Sequence, residues 1–160
     1  MPTPRPKIIR TYAQWLEALP LVQRLVVKEM TQDELDLAGA LVFARPVLTI
    51  DQAQAVHDGK VVPSLRTPVR LDSGAPCVKL RGKWAPFSIT SDWEAFGLLL
   101  TKLPISYSTH ESEDDDGNPR FWHSAQTAFS GTLVQAFADD PRLILAHCAA
   151  LILQHPVFSR

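Results

Sequence analysis

The most informative part of this chain is the stretch Phe87-Ser88-Ile89-Thr90-Ser91-Asp92-Trp93-Glu94-Ala95-Phe96-Gly97-Leu98-Leu99-Leu100. Hydroxyl or carboxylate side chains fill four of the five positions from 88 to 92, and an apolar pattern with helical spacing follows. Because such side chains accept hydrogen bonds from the free N–H groups of a helix N-terminus, we predict a helix over residues 92–103 that ends at Pro104. A polar loop at such an end can either cap the helix or hold an anion.

Strand patterns lie on both sides of this helix. Before it, residues 77–80 and 83–85 have the pattern of a hairpin with Arg81-Gly82 at its turn. After it, strands are predicted over residues 105–109, 120–123 and 131–137, and the polar run 111–119 forms the turn between the first two. We expect the segment ahead of the hairpin to be broken into loop and short strands by Pro63, Pro68 and Pro76.

Further helices are indicated by their start and stop signals. Residues 11–19 place apolar side chains at helical spacing and stop at Pro20. Thr31 and Glu34 form a capping box for a helix over residues 32–45. Residues 143–154 form a strongly apolar helix, with Asp139 or Asp140 as its cap and Pro141 in its first turn, and this helix is expected at the centre of the core.

The remaining segments complete an α+β prediction. Residues 1–9 are expected to be a loose arm, residues 21–28 a strand, and residues 49–57 a short helix that ends at Asp58-Gly59. The sum is a small antiparallel sheet packed with three to four helices in a single compact domain. Residues 1–26 are assigned to an N-terminal arm and extension helix, and residues 27–160 to the α+β domain.

Composition narrows the class of protein. The 160 residues are 46% hydrophobic and 21% charged, as is usual for a globular domain, with a formal net charge of −1. No global field therefore favours nucleic acid or an anionic membrane, and no segment approaches the roughly 20 apolar residues that span a bilayer. Cys77 and Cys148 lack metal-ligand spacing and no signal peptide is present, so we expect reduced cysteines and a cytoplasmic protein.

Three blocks of sequence carry a family resemblance. The first is Glu29-Met30-Thr31 followed by Leu35-Asp36; the second is residues 87–93 with Gly97 and Ile105; the third is Trp122, then Pro141 and its apolar helix. In this order they resemble the phage NinX-like family, small proteins of tailed-phage and prophage genomes classed as a domain of unknown function. The resemblance spans about residues 27–155 and implies a phage or prophage accessory protein made in a bacterial cytoplasm, without implying an activity.

This chain departs from the family pattern at one turn. Ile89 stands where the family has a proline, and Phe96 and Leu98 replace a glycine and a proline of its GGP turn. A ligand loop built on that turn would be altered here.

Two interpretations apply to the polar loop. In the first, Thr90 or Ser91 caps the helix, and Asp92 and Glu94 interact favourably with its dipole. In the second, the loop binds a small polar ligand. The residues proposed for this site are Ser88, Thr90, Ser91, Asp92 and Trp93, with Trp84, Arg81 and Trp122.

Catalytic, metal and cofactor signatures are absent from the sequence. The five histidines lack zinc spacing, and no Walker A, GxGxxG or GxSxG motif is present, so no metal or cofactor is expected. Two alternatives stay open. One is a small hydrolase that uses Asp92 with His110 or His123, which could face each other across the predicted hairpin. The other is a nucleic-acid-binding accessory protein that uses a basic segment comprising Arg66, Arg70, Lys79, Arg81 and Lys83.

The reading favoured by the sequence is a binding protein rather than an enzyme. It would sequester a small polar ligand, with a nucleotide as one option, or bind a host protein. A homo-oligomer is compatible with the sequence, whereas a membrane partner is not expected, and the overall charge disfavours nucleic acid.

Overall fold

Two antiparallel sheets and the helices between them make up the part of the chain that is described. The computed structural model describes residues 5–23, 27–45, 51, 54–55, 58–60, 64–101, 105–129, 132–138 and 141–153. The first sheet has four strands in the order β1-β2-β3-β4, and the second has three in the order β5-β6-β7. The strands are β1 (Lys7–Thr11), β2 (Ser64–Asp72), β3 (Ala75–Leu80), β4 (Lys83–Pro86), β5 (Ile105–Glu113), β6 (Pro119–Phe129) and β7 (Thr132–Ala138).

Two-residue turns fix the register of the four-stranded sheet. Ser73-Gly74 joins β2 to β3 and Arg81-Gly82 joins β3 to β4, and all four residues have positive φ angles between 50° and 92°. Two positive φ angles in succession define a type I′ turn, whose twist matches that of the flanking strands. The hairpin predicted around Arg81-Gly82 is therefore confirmed.

The second sheet is built on a long hairpin. β5 and β6 pair from Ile105↔Thr127 to Glu113↔Pro119, and the connecting turn is held by Asp114. Its carboxylate accepts hydrogen bonds from the backbone N–H groups of Asp116 and Asn118 at 3.0 and 2.8 Å. The predicted polar turn is thus confirmed, although both strands extend further into it than expected.

Five helices and one 3₁₀ turn lie in the described part of the chain, and the predicted capping box of Thr31 and Glu34 is confirmed. The helices are α1 (Tyr12–Ala18), α2 (Pro20–Gln23), α3 (Gln32–Ala44), α4 (Trp93–Leu100) and α5 (Pro141–Leu153), with the 3₁₀ turn at Val27–Glu29. Thr31 and Glu34 form the capping box at the start of α3, and Thr11 and Gln14 form a second one at the start of α1. Every helix in the described part of the chain is too short or too polar to cross a lipid bilayer.

Helices α3 and α5 connect the two sheets. α3 packs on β2 and β3, α5 packs on β6 and β7, and the two helices pack on each other. Every residue of α3 from Leu35 to Ala44 is buried, and α5 carries fully buried side chains such as Ile144 and Ile152. The prediction that the last helix lies in the core is confirmed, as is the α+β class, with the strands divided between two sheets.

Three local predictions differ from the structure. Residues 21–23 belong to α2 and residues 27–28 to the 3₁₀ turn, where a strand over 21–28 was expected; residues 24–26 lie outside the described residues. The Leu19 carbonyl accepts from the N–H groups of Val22 and Gln23 and so starts a helical turn directly after α1. Lys7–Thr11 is strand β1 and not part of a loose arm, since it pairs with β2. Residues 64–72 form one strand although they contain Pro68, and Pro76 lies within β3.

Pro68 is tolerated because of an irregularity in the pairing. Between Ile9 and Thr11 of β1, the partner positions on β2 pass from Val69 to Ser64, so Pro68 falls in the gap of the ladder where no N–H is needed. Most of the helix predicted over residues 49–57, the predicted caps Asp139 and Asp140, and the expected stop at Pro104 lie outside the described residues.

Candidate functional site

A buried carboxylate holds the polar loop from inside the protein. Asp36 of α3 is only 3% exposed. Its Oδ1 accepts hydrogen bonds from the Thr90 backbone N–H at 3.0 Å and from the Thr90 hydroxyl at 2.9 Å, and its Oδ2 accepts from the Ser88 hydroxyl at 2.8 Å. Since the Ser88 hydrogen points to Asp36, the Ser91 hydroxyl must be the donor in its short contact with the Ser88 oxygen.

Burial sets the protonation behaviour of this carboxylate. Desolvation raises the pKa of Asp36 above the usual aspartate value, and the nearby Asp33 charge acts in the same direction. The three hydrogen bonds from Thr90 and Ser88 oppose this rise because they stabilise the ionised form.

The loop hydroxyls are therefore engaged within the fold. The helix cap is Asp92, whose carboxylate accepts from the Glu94 N–H at 3.0 Å, and not Thr90 or Ser91 as the capping interpretation expected. The Thr90 side chain points inward because its hydroxyl donates a hydrogen bond to Asp36. The Asp92 carboxylate therefore caps the helix in its place. Asp92 and Trp93, in contrast, are exposed.

An ordered aromatic surface begins where this loop ends. Trp93 is 57% exposed, although its ring makes an edge contact with Phe96 at 5.4 Å between centroids. The Arg142 guanidinium lies 5.0 Å from the centre of the Trp93 ring, and its Nη1 donates to the Ser91 carbonyl at 3.2 Å. Leu100 adds a further exposed apolar side chain one turn beyond Phe96. We call Trp93, Phe96, Leu100 and Arg142 the Trp93 surface.

A small cavity lies between β4 and α4. Its volume is about 200 Å³, below the range of about 300–1,000 Å³ that is typical of sites for drug-sized ligands. The lining is mainly apolar with two carboxylates, and consists of Leu80, Ala85, Pro86, Phe87, Asp92, Glu94, Ala95 and Leu98. A single side chain fits this space better than a nucleotide does.

The other candidate residues lie elsewhere. Trp84 sits on β4 directly opposite Lys79 of β3, and Arg81 is an exposed turn residue of the same hairpin. Trp122 belongs to the second sheet, where its ring stacks on His110 at 4.0 Å between centroids. The predicted site residues therefore divide among the polar loop, the first sheet and the second sheet.

The histidine pair of the hydrolase alternative is not brought together. His110 pairs with Trp122 and bonds to the Ser124 hydroxyl at 2.9 Å, whereas His123 pairs with Thr109. Paired residues share a face and neighbours along a strand alternate, so His110 and His123 project from opposite faces of the sheet. The expectation that they face each other is wrong, because it assumed a register shifted by one residue.

Both cysteines, together with other possible metal ligands, lie in the described part of the structure. Cys77 and Cys148 are both buried free thiols, and desolvation raises the pKa of Cys148 to about 11. Within the described ranges, no group of three or more His, Cys, Asp or Glu side chains is arranged to hold a metal ion.

Two residues of this region were missed from the sequence. Asp36 could have been found from the sequence, because it is the last charged residue before the apolar run of α3 and belongs to the first block of the family resemblance. No sequence pattern pointed to Arg142, since its contacts with Trp93 and Ser91 join positions about 50 residues apart.

No family model, curated protein or solved structure matches this chain. The similarity to the NinX-like family accordingly stays a prediction from three sequence blocks. The structure adds a physical link between the first two blocks, because Asp36 of one binds Ser88 and Thr90 of the other.

Proposed function

We propose that this protein is a non-enzymatic accessory protein of a phage or prophage that binds a host protein in the bacterial cytoplasm through the Trp93 surface. The observation that carries the proposal is that Trp93 is more than half exposed and yet held in place by Phe96 and Arg142. An exposed tryptophan without such contacts would lose side-chain freedom on binding, which costs free energy. Here that ordering is already present in the free protein.

The residue types of this surface suit a protein partner. Tryptophan and arginine are enriched among the residues that dominate the binding energy of protein interfaces, where aromatic anchors lie next to charged groups. Phe96 and Leu100 continue the apolar stripe along α4 at helical spacing. The stripe and the ring of Trp93 together offer the compact apolar centre that such interfaces need.

Charge favours a partner segment with a basic side chain beside its apolar ones. Asp92 and Glu94 are exposed and line the small cavity between β4 and α4. The aliphatic stem of a lysine or arginine would cover the apolar lining of that cavity, while its charged end reached the two carboxylates. A small polar ligand in the polar loop, which the sequence favoured equally with a host protein, is less well supported, because the Ser88 and Thr90 hydroxyls already bind Asp36.

The proposal predicts that Trp93→Ala abolishes capture of a specific host protein. Wild-type protein and the variant would be immobilised at equal density, and proteins captured from a lysate of the bacterial host would be quantified by mass spectrometry. Truncation of a central interface tryptophan costs about 2 kcal/mol or more, which lowers affinity by at least about 30-fold. The partner should therefore be lost from the Trp93→Ala sample.

Phe121→Ala is the matched control. Phe121 is 56% exposed, almost the same as Trp93, but lies on the second sheet. A partner that Phe121→Ala retains and Trp93→Ala loses supports the proposal. Equal capture by all three proteins, or equal loss from both variants, contradicts it.

A further inference from the structure

The outer face of the four-stranded sheet combines an aromatic ring with basic side chains. The pairs Arg70↔Cys77 and Lys79↔Trp84 place all four side chains on one face, because paired residues share a face and alternate residues of β3 do as well. The opposite face carries fully buried Ile9, Val69 and Val78 and belongs to the core. We call Arg70, Lys79 and Trp84 the basic face.

Local charge at this hairpin differs sharply from the charge of the whole chain. Residues 65–84 contain five Lys and Arg residues and a single acidic residue, Asp72, whereas the full chain has a net charge of −1. Arg81 and Lys83 at the hairpin tip are exposed, as is Lys79. The overall charge, which by itself disfavoured nucleic acid, therefore does not represent this locally cationic sheet surface.

The cations are arranged around the Trp84 ring. The Arg70 guanidinium lies 5.0 Å and the Lys79 ammonium 6.0 Å from the ring centre, and Trp84 is half-buried. Arg70 is held by Asp72, which accepts from its Nε and Nη2 at 3.2 and 2.9 Å and balances its charge. Among the described residues, no carboxylate lies within ion-pair distance of the Lys79 ammonium.

We propose that the basic face binds a nucleobase together with its phosphate. An aromatic side chain on an open antiparallel sheet, with cations at its side, is the arrangement on which proteins stack bases while neutralising the phosphate backbone. Trp84 and the planar Arg70 guanidinium form the stacking platform. Lys79 binds the phosphate, and Arg81 at the exposed turn of the same hairpin is the nearest further cation along the chain.

Two sources share this chemistry, a free nucleotide and a single-stranded nucleic acid. Two probes distinguish them: adenosine monophosphate, titrated while amide resonances are followed by NMR, and a fluorescein-labelled single-stranded oligodeoxyadenylate, followed by anisotropy at several salt concentrations. Tighter binding of the oligonucleotide with a steep salt dependence identifies a single strand. Saturable binding of the mononucleotide, with no gain for the oligonucleotide, identifies a free nucleotide.

Two variants test the assigned residues. Trp84→Leu should weaken binding of the better probe by about 5- to 150-fold, which corresponds to the stacking energy of one base. Lys79→Gln should weaken binding and, for the oligonucleotide, reduce the magnitude of the log–log salt slope by about 0.7, the value for one phosphate contact on a single strand. Lys79 is exposed, so this variant tests the site even where Trp84→Leu disturbs the fold.

Lys60→Gln and Phe121→Leu serve as controls, because both residues are exposed and lie outside β2, β3 and β4. They should bind both probes like the wild type. Absence of saturable binding for both probes overturns the proposal, as does wild-type affinity in Lys79→Gln. None of these outcomes depends on the Trp93 surface, so the two proposals stand or fall separately.

Discussion

At the scale of single residues, Asp36 decides what the polar loop can do. Its carboxylate accepts hydrogen bonds from two hydroxyls and one backbone N–H of a loop that lies more than 50 positions away in the sequence. The sequence predicted a cluster of polar side chains before α4, and that cluster is there. It did not predict that the hydroxyls turn inward, because local pattern contains no information on the distant acceptor that satisfies them.

The raised pKa of Asp36 predicts an unusual response to Asp36→Asn. In the folded protein the carboxyl group keeps its proton to a higher pH than in the unfolded chain. As pH rises through this raised pKa, the unfolded state has already released its proton, so ionisation favours unfolding and wild-type stability falls. The free energy of unfolding of the wild type should therefore decrease relative to that of Asp36→Asn, which carries no titrating group at this position.

Urea unfolding at a series of pH values from below the usual aspartate pKa to neutrality measures this difference. Asp36→Ala is the control for the hydrogen bonds, because it leaves the Thr90 N–H and both hydroxyls without their acceptor. It should lose at least about 2 kcal/mol at every pH, and more than Asp36→Asn does. A wild-type stability that rises with pH relative to Asp36→Asn would contradict the pKa direction.

At the scale of elements, α3 contains a position where the loop approaches the helix closely. A Cβ built at Gly39 overlaps the side chain of Ile89, which is fully buried. The Asp36 bonds to Thr90 and Ser88 flank Ile89 and press the loop onto this turn of the helix. Gly39 is therefore required by packing and not by backbone conformation.

Gly39→Ala should destabilise the protein by about 1–3 kcal/mol, the cost of overpacking, despite a gain in helix propensity of about 1 kcal/mol. Gly97→Ala in α4 is the control, since nothing lies within 4 Å of a Cβ there. That variant should gain about 0.5–1 kcal/mol. Chemical denaturation measures both changes.

Ile89→Val provides a further check on this contact, because it shortens the side chain that meets the new Cβ. The double variant Gly39→Ala/Ile89→Val should lose less stability than the two single changes added together. Strict additivity would show that the clash is relieved elsewhere.

The capping box of α3 and one tight turn were predicted correctly, whereas the cap predicted for α4 was wrong. The capping box of α3 and the Arg81-Gly82 turn depend only on neighbouring residues, and both are present. Predictions from proline were less reliable. Pro20 ends one helix and begins the next, and Pro68 lies in a strand whose pairing is interrupted at that point. The effect of a proline depends on whether a partner needs its N–H, which only the tertiary structure shows.

At the scale of the whole molecule, α3 and α5 join two sheets into one core. Trp15 of α1 is fully buried and donates its indole N–H to the Leu41 carbonyl at 2.8 Å, so the predicted extension helix also packs on this core. The α+β class could be inferred because the strand patterns are grouped into hairpins, and helix patterns lie between these groups. The division into two sheets could not, since strand patterns do not reveal which strands pair.

The reactivity of the buried Cys148 thiol can be used to measure unfolding of this shared core. It is fully buried in α5, and its pKa of about 11 keeps it protonated. In a Cys77→Ser background, we expect the thiol to react with a disulfide reagent only when the whole molecule unfolds. The labelling rate should rise with urea at the same m-value as global unfolding measured by tryptophan fluorescence.

A labelling rate that does not change with urea would contradict this expectation. It would show that α5 opens locally while the rest of the molecule stays folded. Cys77→Ser alone should leave the urea midpoint nearly unchanged, because a serine hydroxyl can donate to the Asp72 carboxylate as the buried Cys77 thiol does.

The bond between Asp36 and the polar loop also has a consequence for inheritance. A change at position 36 that removes the carboxylate leaves the Ser88 and Thr90 hydroxyls without their hydrogen-bond acceptor. A change at position 88 or 90 removes a hydrogen-bond donor from the buried carboxylate. Each change by itself lowers the stability of the fold, whereas apolar residues in place of both the carboxylate and the hydroxyls would leave no buried polar group without a partner. In descendants of this chain, the three positions should therefore mutate as a group, and a lineage that drops the carboxylate should be found to have dropped the hydroxyls with it.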